Sequence, residues 1–417
     1  MESMTQEMRQ KLMMEIGGLA KQLSTPEGIA NPYPIYEGLK RYGSHLKLGD
    51  QHFVFGYDDC KKILSDDRFR SPDAQVRDKW MPGWQSEASW RSICTTMLFK
   101  NEPDHSRVRA FVSAWFTPKS VEKLRGHVQR AVDHGIAVLR DLSREGRPVD
   151  SIEHFVDWVP LNVMCEMLGV PEADRKTVLP LIMPFTAAFS ATVDKSQLTA
   201  ANACIEKLDR YFRDLTAIKR ANPADDLMSH LIQKFDAEHE VDEEELIGTF
   251  LVLVIGGFAA PADMLGNLVA LVAEHPDWAG KMRADATLIP AFVEECIRFD
   301  PPAQLLNRVA VQDVNDFPVP IAAGTKVNLA IAAANRDPAH FEDALTFDPS
   351  RKIQQHLSFG MGAHYCLGFI LARMQCQAVV AGLISSFSAI DVVGPKVYRP
   401  QLLERGYQRL MLNLTSA

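Results

Sequence analysis

The chain of 417 residues has no CxxC pair, no repeat, no low-complexity tract and no Pro-, Gly- or Ser-rich linker. Its seven cysteines, at 60, 94, 165, 204, 296, 366 and 376, follow no regular spacing. That excludes a disulfide framework and suits reduced thiols in a cytosol. The missing linkers argue for one large domain over 1–417, although the length would accommodate two or three. Positive charge is not in excess. There are 45 Lys and Arg against 53 Asp and Glu, and the net charge of −8 argues against a general nucleic-acid binder. Met1 to Leu23 lacks the unbroken apolar run of a signal peptide, because Glu, Arg and Lys interrupt it. Neither a leader nor an N-terminal anchor is expected. One stretch, Leu246 to Ala262, has 17 residues without a charge, at the lower edge of what spans a bilayer. Three glycines and Pro261 interrupt it and Asp263 ends it, so it reads as a central buried helix. No membrane association is expected.

Against these absences stands one dense stretch. His356 to Gly368 holds three glycines, two histidines and Cys366, and runs into an apolar helical pattern from Phe369 to Leu383. Glycine permits tight turns and close backbone approach. A thiol at the mouth of a helix is favoured as thiolate by the helix dipole and the unpaired N–H groups. Such a thiolate is a good axial ligand for haem iron. The plain alternative is a glycine-rich turn beside a buried free cysteine.

Other segments carry weaker signals. Ser44–Leu48 and His52–Phe55 read as strands, and Tyr57–Leu64 reads as a helix. Ser71 to Ser92 is irregular and holds Trp80, Trp84 and Trp90, which either fill core or line a pocket for a flat or apolar ligand. His105 and Arg109 are four apart on a helix that Asp104 can cap, a pair able to clamp a carboxylate. From Pro118 to about Gln233 amphipathic helices follow one another, with an apolar segment at Pro180–Ser196. Asp242 and Glu245 have capping-box spacing, and the helix they open can run to His275, before Pro276. Pro261 within it removes an N–H and is expected to kink it, freeing the Gly257 carbonyl.

The run Phe359-Gly360-Met361-Gly362-Ala363-His364-Tyr365-Cys366-Leu367-Gly368 resembles the haem-binding loop of the cytochrome P-450 monooxygenases, and the resemblance extends from about Asn31 to Leu414. It implies a mainly α fold with a small β-rich region, roughly 30–70 plus 300–350. The long helix would cross over the haem. Haem b, iron protoporphyrin IX, would be bound through Cys366, with Phe359, Gly360 and Gly368 packed around it. His105, Arg109, Arg308 and His364 would hold its propionates. Glu295 and Arg298, with Arg351, match a structural ion network. Tentative pocket residues are Trp84, Trp90, Leu98, Val254, Phe258, Leu305, Leu306 and Tyr407, and Pro180–Ser196 would be a lid.

The sequence departs from the family in the long helix. Where an acid and a threonine usually stand, it has Ala259 and Ala260, followed by Pro261. Gly257, Ala259, Ala260 and Pro261 therefore mark an unusual catalytic face, with Asp263 as a substitute acid or a buried hydrogen-bonded one. No flavin or Fe–S motif is present. Electrons from NAD(P)H would arrive through a ferredoxin or flavodoxin and its reductase, docking on Arg107, Arg351, Lys352 and Arg373. The implied activity is oxidation of a small organic substrate by a cytoplasmic monomer, as a natural-product tailoring step. The alternatives are a peroxide-using peroxygenase or peroxidase and a non-catalytic haem sensor or carrier.

Overall fold

Asp242 opens the longest element. Its carboxylate accepts the Glu245 N–H at 2.8 Å, and the Glu245 carboxylate accepts the Asp242 N–H at 3.0 Å. Two otherwise orphaned donors are thereby satisfied, and Glu243, Glu244 and Glu245 sit at the favourable end of the dipole. In the computed structural model, which describes residues 6–186, 188, 193–352 and 354–417, this helix runs Glu243–Glu274. At about 1.5 Å per residue it is roughly 50 Å long. Pro261 stands inside it without ending it; the expected kink does not break the helix.

The helices packed around it include Trp158–Leu168, Lys195–Ala221, Glu172–Thr186, Ala88–Thr95, Ile289–Phe299 and Phe369–Ser386. Burial on nearly every side explains why its sequence is apolar almost all round. By length and composition, Glu243–Glu274 and Phe369–Ser386 could each cross a membrane, but 78% of the first one's apolar window is buried inside the fold.

Among the described residues, ten strands form three sheets. They are β1 (His45–Leu48), β2 (Gln51–Val54), β3 (Phe69–Arg70), β4 (Val149–Asp150), β5 (Leu306–Ala310), β6 (Lys326–Leu329), β7 (Phe387–Val392), β8 (Val397–Tyr398), β9 (Tyr407–Arg409) and β10 (Met411–Ser416). The first sheet has the order β1-β2-β6-β5-β3 and joins the N-terminal corner to residues 306–329. In it β2 runs parallel to β6 with Gln51 opposite Lys326, and β5 runs antiparallel to β6 with Arg308 opposite Val327. The other sheets are β4-β10-β7 and β8-β9. Ahead of β5 an isolated bridge joins Ala303 to Glu404.

The expected helix Tyr57–Leu64 is present over those residues. The helix bearing His105 spans Asp104–Ser113, but Asp104 does not cap it. Glu102 does, accepting the Ser106 N–H at 3.3 Å and its hydroxyl at 2.7 Å, while Asp104 is spent on Arg107 at 2.9 Å. Of the expected lid, Pro180–Thr186 ends the helix Glu172–Thr186 and Lys195 begins the next. Residues 187 and 189–192 lie outside the described residues.

Candidate active site

Local hydrogen bonds wrap the cysteine loop into a compact turn. The Gly360 N–H donates to the Leu357 carbonyl at 2.8 Å, and the Cys366 N–H donates to the Phe359 carbonyl at 2.8 Å. Gly360 and Gly362 have φ of 71° and 70°, in the left-handed region, and a side chain at 362 would strike the Leu64 carbonyl at 2.6 Å. Gly368 then caps the helix Phe369–Ser386. Burial pushes the Cys366 thiol up, whereas the Gly368 N–H, Arg109 and Arg373 pull it down. The Arg373 guanidinium lies 4.5 Å from the Phe359 ring centre, bracing the ring beside the loop.

Beside this loop four potential cations converge. The rings of His105 and His364 are 4.1 Å apart. Arg109 donates to the Tyr365 carbonyl at 2.7 Å, Arg308 to the Asn307 carbonyl at 2.9 Å, and His364 shares a 3.3 Å contact with the Ser71 hydroxyl. His105 has the Glu102 carboxylate 3.4 Å away. The partners of Arg109, Arg308 and His364 are thus neutral groups. Burial lowers Arg308 to about 10. Burial, with Arg308, His105 and Arg109 nearby, pushes His364 down to about 3. Two guanidinium groups, Arg109 and Arg308, held here by carbonyls alone, are costly without an anion and fit a ligand bearing carboxylates. A porphyrin with two propionates would meet that requirement, with Cys366 as the residue that would hold its iron.

The adjoining cavity has a volume of ≈ 630 Å³. Gly360, His364 and Arg308 line one side, and Ile255, Gly256, Ala259 and Ala260 of the long helix line another. These four residues form one helical stripe at i, i+1, i+4 and i+5. A side chain at Gly256 would meet nothing within 4 Å, whereas one at Gly257 would strike the Met164 sulfur at 2.3 Å. Gly257 therefore turns its Cα toward the helix Trp158–Leu168. Val254 and Phe258, expected in the pocket, are fully buried on other faces. That expectation was off by one residue, about 100° of helix rotation.

Trp90, Leu98, Leu305 and Leu306 line the cavity, joined by Trp80. Trp84 does not; it is buried and donates its indole N–H to Asp78 at 2.8 Å. Tyr407 does not either. It stacks on Tyr398 with ring centres 4.5 Å apart. In its place the turn before it contributes Gln401, Leu403 and Glu404. Arg77 and Lys326 also line the cavity, although no sequence signal marked either one.

Asp263 is buried and paired with Arg399, which also reaches Asp157 at 3.1 Å. Burial pushes its carboxyl up to about 7, with Arg399 opposing. It faces the backbone of Gly406 rather than the cavity. Glu295 accepts two N–H bonds from Arg298 at 2.6 and 2.7 Å, and Arg351 lies 3.5 Å from it. The proposed basic docking patch is not there as such. Arg351 is drawn into this network, Arg107 is clamped by Glu245 at 2.7 Å, and Arg373 is held by Glu294 at 2.9 Å. Of the four, Lys352 alone is exposed and the others are half-buried.

The comparisons with known proteins agree with this geometry. The family model described as Cytochrome P450 matches residues 172–401. The "Biotin biosynthesis cytochrome P450" of Bacillus subtilis (strain 168) is 30% identical over 94% of this chain and 98% of its own length. The "Cytochrome P450 monooxygenase PikC" of Streptomyces venezuelae is 32% identical over 95% and 93%. The solved structure of "The cytochrome P450 enzyme CxnD for C-S bond formation in chuangxinmycin biosynthesis" superposes with a TM-score of 0.82, at 30% identity, covering 93% of this chain and 95% of that one. A cysteine loop beneath a cavity, a long helix across it and relatives matched over nearly their whole length make this chain a member of the cytochrome P450 family, an oxidoreductase of the monooxygenase type with the mainly α fold of that family.

Proposed function

We propose that the chain binds haem b through Cys366 and oxidises a small apolar organic substrate in a dedicated biosynthetic step, in the cytoplasm. The observation that carries this is the cavity bounded by Gly360 and His364 on one side and by Ile255, Gly256, Ala259 and Ala260 on the other. When bound, haem supplies dioxygen binding and O–O cleavage, which thiolate donation favours. The protein's part is to bind, orient and supply protons. His105, Arg109, Arg308 and His364 would hold the propionates, and Trp80, Trp90, Leu98 and Leu305 would exclude water. Two relatives whose printed names specify biosynthesis support a dedicated step. The one named for C–S bond formation supports an outcome other than hydroxylation.

Proton delivery would be atypical. The cavity-facing stripe of the long helix carries no hydroxyl and no carboxyl. Pro261 has no N–H to give the Gly257 carbonyl, which is left to hold water or a substrate group. Asp263 is engaged by Arg399. Ala260→Thr should then change coupled turnover with the native substrate by less than about tenfold, because a general acid regains its usual advantage of about a hundredfold only within a working relay. A hundredfold rise with loss of uncoupling would refute this.

Arg308→Leu should speed haem transfer to apomyoglobin by about tenfold or more, since one charge-assisted bond to a propionate is lost. An unchanged transfer rate would remove Arg308 from that role. Electrons would come from NAD(P)H through a ferredoxin or flavodoxin and its reductase. The missing acid and alcohol favour a second reading, a peroxide-using enzyme, because peroxide brings its own protons. Turnover of the holoenzyme with reduced ferredoxin should exceed turnover with hydrogen peroxide alone. The reverse ratio would establish the second reading.

A further inference from the structure

The cavity holds a second pair of cations that the propionates do not explain. Arg77 lies on the helix Ala74–Trp80, lines the cavity and is only 8% exposed. Its Nε is buried and has no hydrogen-bond partner. Its neighbours carry no negative charge: the Met81 sulfur at 3.7 Å from a terminal nitrogen, the Phe99 ring centre at 5.0 Å, and the Cys94 thiol. Burial lowers both Arg77 and Lys326; Cys94 opposes the shift of Arg77, Asp50 opposes that of Lys326, and Arg77 adds to the lowering of Lys326. Among the described residues neither forms an ion pair within 4.0 Å.

Lys326 opens β6 and lines the same cavity. It stands opposite Gln51 of β2 and Val309 of β5, whereas Arg308 stands opposite Val327. Strand alternation sends Lys326 and Arg308 out of opposite faces of the sheet, although both border the cavity. The charges acting on His364 are Arg308, His105 and Arg109, with neither Arg77 nor Lys326 among them. A buried guanidinium with an unused N–H is costly unless a ligand supplies the anion. Trp80, Met81, Trp90 and Leu98 give the same cavity apolar walls.

We propose that Arg77 and Lys326 form a carboxylate subsite, which anchors one end of an elongated apolar monocarboxylic acid while its body lies along Trp90 and Leu98 toward Ala259 and Ala260. The subsite rests on the reading of this cavity as the haem and substrate chamber. It makes the enzyme selective for acids over neutral analogues and fixes which carbon reaches the reacting centre.

The test uses the holoenzyme, titrated with tetradecanoate and with tetradecanol while the haem absorption shift is followed. The acid should bind at least about tenfold more tightly than the alcohol. Arg77→Gln and Lys326→Gln should each remove most of that preference and leave alcohol binding unchanged, and Arg77→Lys should restore part of it. Equal binding of acid and alcohol, no binding of the acid, or variants that weaken both ligands alike would overturn the subsite. So would faster haem transfer to apomyoglobin in the variants with acid selectivity intact, since the carboxylate would then be a propionate. A normal carbon monoxide difference spectrum in the wild-type protein shows that the haem reading stands even where the subsite fails.

Discussion

Cys366→Ser is expected to abolish monooxygenase turnover and to leave the fold in place. The side chain is half-buried, and its one hydrogen-bond donor is the Gly368 N–H, which a serine oxygen can also engage. The loop is closed by backbone bonds, such as Cys366 N–H to the Phe359 carbonyl, that the substitution does not touch. Stability should therefore change by about 1 kcal/mol or less, as for a substitution that opens no cavity and strands no charge. What disappears is the soft, charged ligand. An alcohol does not replace a thiolate as electron donor to iron at neutral pH. Purified C366S should melt with the wild type, and it should show neither product formation nor a thiolate-type carbon monoxide spectrum. Retained turnover would remove Cys366 from the centre of the account.

Glu295→Gln should do the opposite, damaging the fold first and the chemistry through it. Glu295 is 5% exposed. It receives two N–H bonds from Arg298 and the Asp348 N–H at 2.9 Å, and Arg351 stands 3.5 Å away. Arg298 also holds the carbonyls of Asn335, Ala344 and Thr346 at 2.8, 3.0 and 3.1 Å. Asn335 carries the network on, accepting the Leu357 N–H at 2.7 Å and donating to the Ser358 hydroxyl at 2.8 Å. The cysteine loop begins there. Removing one charge strands two guanidinium groups in the interior, at a cost of about 3–5 kcal/mol. That is a large share of a typical stability of about 5–15 kcal/mol. The variant should melt well below the wild type and purify with less haem per chain. A melting temperature within about two degrees of the wild type would refute the network's role.

Features whose cause is local in sequence were legible there. The Asp242 and Glu245 capping pair, the helix Tyr57–Leu64 and the glycine turns around Cys366 all follow from neighbours a few residues apart. Facing was harder. The helix Glu243–Glu274 is buried on nearly every side, so its sequence gives no polar stripe to orient it, and Val254 and Phe258 were assigned to the cavity in place of Ile255 and Gly256. Partners distant in sequence were invisible too. Arg107, Arg351 and Arg373 look like free surface charge until Glu245, Glu295 and Glu294 are brought beside them by folding. Trp84 and Tyr407 are satisfied by Asp78 and Tyr398, whereas Arg77 and Glu404, which reach the cavity, sit in stretches with no periodic or motif signal.

The ligand assignment is tested most directly by the carbon monoxide difference spectrum of the reduced protein, recorded for the wild type and for single Cys→Ser variants at 94, 204 and 366. The account predicts the thiolate-type band in the wild type, C94S and C204S, and its loss in C366S alone. A band that survives in C366S, or one that vanishes with either other cysteine, would contradict it.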